Sequence, residues 1–253
     1  MEKKDLLKDT IKHIDIKSYD STQLIDAMRD MSFTSRDTAR AADILMKMVK
    51  EKECTNILTI AGSTSAAGCM QVYVDMVRNK MIDVVVATGA SIIDMDLFEA
   101  LGFKHYKGRQ DVPDMQLRDL YIDRIYDTFI DEEELQICDH TTYEIANALE
   151  PRPYSSREFI WEIGKWLTQH SVKKDSLIQT CYECGVPIFC PAFSDCSAGF
   201  GIGKHQWEHP EKHVSIDSVK DFIELTMIKM NAPTTGLFMI GGGTPKNFAQ
   251  DTV

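Results

Sequence analysis

The sequence has no apolar run approaching the roughly 18 residues that a bilayer-crossing helix needs. Its amino-terminal stretch, MEKKDLLKDTIKHIDIK, lacks the apolar core of a signal peptide. These two absences predict a cytoplasmic protein without a membrane partner. Positive charge is also scarce. Lysine and arginine total 28 against 39 aspartates and glutamates, a formal net charge of −11. That balance argues against a nucleic-acid partner, because phosphate backbones are held by basic surfaces. It is compatible with cationic substrates, although acidity often serves only solubility. Internal repeats and Gly/Ser linkers are absent, so the expectation is one domain over residues 1–253, with 1–32 as a polar amino-terminal extension. The G-x-G-x-x-G dinucleotide fingerprint is missing too.

What is present is organised around Asn56 to Asp96. An apolar run over 56–61 ends at Gly62, and Ser63, Thr64, Ser65, Ala66, Ala67 and Gly68 follow. Met70, Val74, Val77 and Met81 then fall on one helical face. A second apolar run over 82–87 ends in Thr88, Gly89, Ala90 and Ser91. This reads as strand, tight turn, helix and buried strand, a βαβ unit. Small residues after a strand let backbone N–H groups approach an anion at a helix start. Close strand–helix packing would explain the same residues equally well. The alternating order of predicted elements favours a doubly wound, mostly parallel α/β sheet with flanking helices.

The seven cysteines, an odd number, read as reduced thiols of a reducing compartment. Cys181 and Cys184, with Cys190 and Cys196 after them, have spacing that invites a zinc reading. Because Cys190 lies in the apolar run over 187–192, structural thiols are the better expectation, and no metal is assigned. His205, His209 and His213 recur every four residues, but Gly201, Gly203 and Pro210 predict a solvated loop there. Thr34 to Asp37 resembles a capping box, as does Ser155 to Glu158. Further helices are expected over 95–101, 141–149 and 155–169, and one capped by Ser218. Strands are expected over 187–192 and 236–240. Residues 102–139 show the least regular pattern, with His105 either lining a pocket beside the βαβ edge or, as is more common, at the surface, and the acidic run from Asp131 at a helix start. Three glycines, Gly241–Gly243, close the last strand and leave room for a ligand or another chain.

Four ordered segments together resemble deoxyhypusine synthase and its bacterial and archaeal relatives. They are Phe33, Thr34, Arg36, Arg40 and Ala41 with Cys54 and Thr55; Gly62–Gly68 with Asp83–Gly89; Pro191–Asp195; and Ile240–Asn247. The resemblance covers the chain from about Leu24 onward. It implies a Rossmann-like fold, assembly as a homotetramer, and NAD as cofactor. It also implies an activity: NAD takes hydride from a polyamine's secondary amine, and an aminobutyl-type unit passes through an enzyme lysine to an amine or protein-lysine acceptor. On this basis Ser63, Thr64, Ser65, Ala66 and Ala67 match the first NAD turn, and Thr88, Gly89 and Ala90 the second. Asp94 and Asp96 stand where the family has paired acids, so that Asp94 is expected to bind cofactor or amine and Asp96 amine. Asp195 matches an aspartate near NAD, and Gly242 a glycine of the amine pocket.

Two pocket positions depart from the family pattern. Phe200 replaces a carboxylate that grips an ammonium, a contact worth roughly 1.5–3 kcal/mol. Asn247 replaces a histidine. These changes imply an amine donor other than spermidine, or one held differently. No Trp-Gly-Lys motif carries the expected nucleophile, so no catalytic residue is assigned. The expectation is that the family's remaining strands lie beyond Val253. Two alternatives stand beside the transferase: an inactive NAD-binding or regulatory paralogue that assembles with a partner subunit, and a homospermidine synthase-like enzyme acting on small amines.

Overall fold

The structure, a computed structural model, describes residues 2–252. Two short helices, α1 (Lys3–Leu6) and α2 (Thr22–Met28), precede the long α3 (Phe33–Lys50). Strand β1 (Cys54–Ile60) runs through a wide helical turn, Ser65–Cys69, into α4 (Met70–Arg78) and then β2 (Val84–Ala87). A second wide turn, Ala90–Leu97, continues as α5 (Phe98–Ala100). Next come β3 (Tyr106–Lys107), α6 (Asp114–Asp119), β4 (Ile122–Ile125) and β5 (Thr128–Asp131). Helix α7 (Glu132–Ala148), β6 (Pro153–Tyr154), α8 (Ser156–His170), α9 (Leu177–Cys184) and β7 (Ile188–Phe189) follow. The chain closes with α10 (Ser197–Glu208), β8 (Ser215–Ile216), α11 (Ser218–Asn231), β9 (Thr234–Ile240) and α12 (Gly243–Gln250).

The central sheet has the order β7-β2-β1-β9, and every pair in it is parallel. Ile57 stands opposite Val84 on one side and Leu237 on the other. Both faces are covered, which is why β1 and β2 read as continuous apolar runs. Alternation still sorts their side chains. Leu58, Ile60, Val85 and Ala87 enter the larger core with Val74 of α4, Phe159 of α8 and Ile178 of α9. Ile57, Val84, Val86 and Phe189 point the other way, onto Leu225 of α11 and Ala249 of α12. The architecture is thus α/β, a mostly parallel sheet with helices on both faces. Among the described residues no helix is long and apolar enough to cross a membrane.

Several local expectations need correction. Helix α3 begins at Phe33 after Ser32, without a side-chain cap, so Thr34 lies inside it and Thr38 bonds its carbonyl. The irregular region 102–139 holds a small antiparallel sheet, β3-β5-β4, and His105 is buried against Glu99 rather than at the surface. The expected helix over 141–149 is only the second half of α7, which starts at the acidic run with Asp131 as its cap. The predicted loop around Gly201 and Gly203 is helix α10. Gly201 is needed there: an added Cβ would lie 2.1 Å from Thr142 Oγ1 and 2.5 Å from the Asp139 carbonyl of α7. Close helix contact, which a loop reading could not foresee, outweighs the low helix propensity of glycine. By contrast, Ser155 and Glu158 form a full capping box at α8.

Candidate functional site

In open α/β sheets, ligands bind beyond the carboxyl ends of the strands, where the strand order reverses direction. Here that reversal lies between β1, which continues to β2 on one side, and β9 on the other. Four turns leave this edge: Gly62–Cys69 after β1, Thr88–Ala90 after β2, 190–196 after β7, and Gly241–Gly243 after β9. Short contacts tie them together. Ala61 donates its N–H to the Ile240 carbonyl at 2.9 Å, and Thr88 donates to Ile60 at 3.0 Å. Gly241, at φ +75°, sits so close that an added Cβ would come within 2.7 Å of the Ala61 carbonyl. Ser91 donates its hydroxyl to the Gly62 carbonyl at 3.1 Å and lies 2.8 Å from Thr88 Oγ1. Gly89 is pressed against Cys196, whose Sγ would be 2.4 Å from an added Cβ. Thr64, Gly89 and Gly242 therefore belong to neighbouring turns of one sheet edge, not to unconnected surfaces.

The edge has both room and unused polar capacity. Around the Cα atoms of Gly62, Gly242 and Gly243 an added Cβ would meet nothing within 4 Å. Ser65 is 1% exposed, yet its hydroxyl has no hydrogen-bond partner in the chain, a deficit that buried polar groups rarely carry. Ser63 and Thr64 are partly exposed and Ala67 is open to solvent. Thr64 is steadied by a 2.7 Å hydrogen bond to the Tyr73 hydroxyl. Open backbone in neighbouring turns and an orphaned hydroxyl are features that a sugar- and phosphate-bearing ligand could use.

Carboxylates gather on the β7 side. Asp94 accepts from the Ser197 N–H at 2.8 Å, at the start of α10. Burial pushes its carboxyl up to about 6, with Asp139 and Asp195 adding to the rise against the opposing Ser197 hydrogen bonds. Asp139 on α7 is raised as well, again mainly by burial, while Asp195 is exposed. Phe200, on α10, is 74% exposed and lines a cleft of about 620 Å³ with Asp123, Glu132, Asp139, Tyr143 and Lys204. Three carboxylates thus face a cleft with one lysine, whose ammonium lies over the Tyr143 ring. Asn247 is exposed on α12.

Asp96 departs from the amine-binding role that the resemblance implies. It is completely buried, and its two oxygens accept from the Leu177 and Ile178 N–H groups at 2.8 Å each. The carboxylate holds the first turn of α9 and faces no groove. Sequence reasoning placed Ser91 in the second turn without giving it the role of joining two turns, and it overlooked Asp139, which sits within a run of ordinary helix-surface residues. Neither carries a local signal. The buried thiols of Cys138 and Cys190 are raised by burial, and that of Cys196 is pushed up to about 12, which leaves them packing groups rather than nucleophiles.

Comparison with known proteins places the chain in a family. The family model for deoxyhypusine synthase matches residues 23–253. A "Deoxyhypusine synthase-like protein" of Coxiella burnetii (strain Dugway 5J108-111) is 63% identical over 252 residues, 99% of this chain and 72% of that protein. One from Caulobacter vibrioides is 65% identical over 256 residues, covering 100% of this chain and 70% of the relative. "Probable deoxyhypusine synthase 2" of Methanosarcina acetivorans is 37% identical over 239 residues, 94% of this chain and 68% of that one. A solved Entamoeba histolytica structure, described as a deoxyhypusine synthase, has a TM-score of 0.67 at 20% identity. It covers 92% of this chain and 79% of its own, and speaks for the fold. The chain belongs to the deoxyhypusine synthase family.

Proposed function

We propose that this protein is an NAD-dependent aminoalkyl transferase of the deoxyhypusine synthase type, acting on a polyamine or related amine. The observation that carries the reading is the strand reversal between β1 and β9, where the backbone is open at Gly62, Gly242 and Gly243 and the first turn holds the unpartnered Ser65 hydroxyl. Ser63, Thr64, Ser65, Ala66 and Ala67 would hold the cofactor from the β1 side, and Thr88, Gly89 and Ala90 from β2. Asp94 and Asp195 would face it from the carboxylate cluster. When bound, NAD supplies a hydride acceptor and later a hydride donor.

The chain's own residues would bind and orient the amine. Asp94, whose carboxyl is raised to about 6, can exchange a proton near neutrality and pair with an ammonium. Phe200 brings no charge, but the cleft beside it is lined by Asp123, Glu132 and Asp139. These carboxylates would replace the counter-charge that Phe200 lacks, leaving the aromatic ring for the methylene chain of the amine. Gly242 leaves space for the donor next to the cofactor, and Asn247 lies one helical turn further on α12. The acceptor, a protein lysine or a small amine, is set by the same cleft.

Calorimetric titration with NAD, followed by spermidine, putrescine or agmatine with NADH absorbance as readout, tests the proposal. Saturable NAD binding and an amine-dependent rise in NADH are expected. A protein that binds no NAD sinks the reading. NAD binding without NADH from any amine would instead favour the non-catalytic paralogue.

A further inference from the structure

Residues 2–22 lie outside the span that the family model matches, yet residues 9–17 follow a defined path against the rest of the molecule. Thr10 forms an antiparallel bridge with Tyr106 of β3. Ile11 donates to the His105 carbonyl at 2.8 Å, and Lys107 donates to the Asp9 carbonyl at 2.7 Å. The segment then crosses to the turn after β1. Ile14 donates its N–H to the Gly68 carbonyl at 2.9 Å. Gly68, at φ +99°, packs so tightly that an added Cβ would lie 2.8 Å from the Lys12 carbonyl. Two side-chain contacts clamp the crossing. His13 Nε2 meets Glu99 Oε2 at 2.6 Å, where Glu99 also binds His105 Nδ1 at 2.8 Å and Lys173 Nζ at 2.6 Å. Lys17 Nζ reaches Asp75 of α4 at 2.7 Å.

We propose that residues 9–17 are a brace that holds the Ser65–Cys69 turn in its ligand-binding shape from behind, with His13 as its positioning residue. The assignment rests on the reading of that turn as the NAD turn. The turn is irregular, a wide helical turn broken by left-handed Gly68. Its inner amides, Ala67 to the Ser63 carbonyl and Cys69 to the Thr64 carbonyl, close at 3.0 Å. The strap adds a donor from outside the turn, the Ile14 N–H, to the Gly68 carbonyl. Binding at the front and strap docking at the back are then coupled, and the coupling is reciprocal.

The experiment compares the whole protein with His13→Ala, His13→Gln and Lys3→Ala variants. Lys3 ties the same amino-terminal segment to Asp131 without touching the turn. Hydrogen exchange without ligand should speed up at least tenfold at the Ala67 and Cys69 amides in His13→Ala only. His13→Gln, which keeps a donor toward Glu99, should restore the slow rate. In calorimetry, NAD should bind about tenfold more weakly to His13→Ala and equally to Lys3→Ala. NAD should also slow exchange at the Ile14 amide in the unmodified protein. Unchanged Ala67 and Cys69 exchange in His13→Ala overturns the brace, whatever NAD does. Faster exchange there in a protein that never binds NAD upholds the brace and overturns only the nucleotide reading. Equal losses of NAD affinity in His13→Ala and Lys3→Ala would reduce the effect to general stability and overturn the proposal.

Discussion

Substituting Asp96 by asparagine separates a structural carboxylate from an amine ligand. Asp96 is fully buried and spends both oxygens on the α9 amides. Burial pushes its carboxyl up from an ordinary 3.8 to about 6, while the Ile178 and Leu177 hydrogen bonds and Lys173 pull the other way. A carboxyl whose folded value lies above its unfolded one contributes stability that is complete below the unfolded value and is lost as pH rises through the folded value. The rise from 3.8 to about 6 is worth about 3 kcal/mol in all. About 1 kcal/mol of this is lost between roughly pH 5 and pH 8. The Asp96→Asn variant cannot titrate, so it lacks this slope. Its amide keeps one carbonyl oxygen, leaving one α9 N–H facing an NH2 group at a cost of about 1–3 kcal/mol.

The unmodified protein should therefore be more stable by about 1–3 kcal/mol near pH 5, with the gap shrinking by about 1 kcal/mol near pH 8. Slopes from Asp94 and Asp221, both also raised to about 6 by burial, are common to both proteins and cancel. Urea unfolding followed by fluorescence of the three tryptophans measures the difference. A variant whose stability falls with pH as steeply as the parent refutes the linkage argument. A variant with unaltered stability but no amine response would return Asp96 to the substrate site.

Three other outcomes follow from the same geometry. Gly242→Ala adds a methyl where no atom lies within 4 Å, so the melting temperature should stay put while NAD binds about tenfold more weakly by calorimetry, a change of about 1.4 kcal/mol. Ser65→Ala removes an unpartnered buried hydroxyl, so the free chain should unfold at the same or a slightly higher temperature, while NAD affinity falls by a similar factor. Gly201→Ala drives a methyl into Thr142 and the α7 backbone, so thermal unfolding should report a loss of about 1–3 kcal/mol or more.

What could be read in advance was local. The βαβ unit was legible because β1 and β2 are buried on both faces, and that burial demands unbroken apolar runs. The capping box at Ser155 and Glu158 needs only residues three apart. The helix start at Asp131 likewise declares itself through its acidic first turn. The failures all involve partners distant in the chain. Gly201 looks like a helix breaker until α7 is placed against it. Asp96 looks like a ligand until α9, some 81 residues away, brings its amides to it. His105 looks like a surface group until Glu99, His13 and Lys173 converge.

By its own pattern the sequence determined the class of fold, the apolar strands of the central sheet and the small-residue turns at their ends, because period and side-chain size act over a few residues. Only the tertiary structure decided which of those turns touch, that Asp94 meets the start of α10 while Asp96 meets that of α9, and that the amino-terminal segment grips Gly68. Each of these depends on backbone amides and carboxylates meeting across long stretches of chain, and residue identity alone does not say which amide a carboxylate will find.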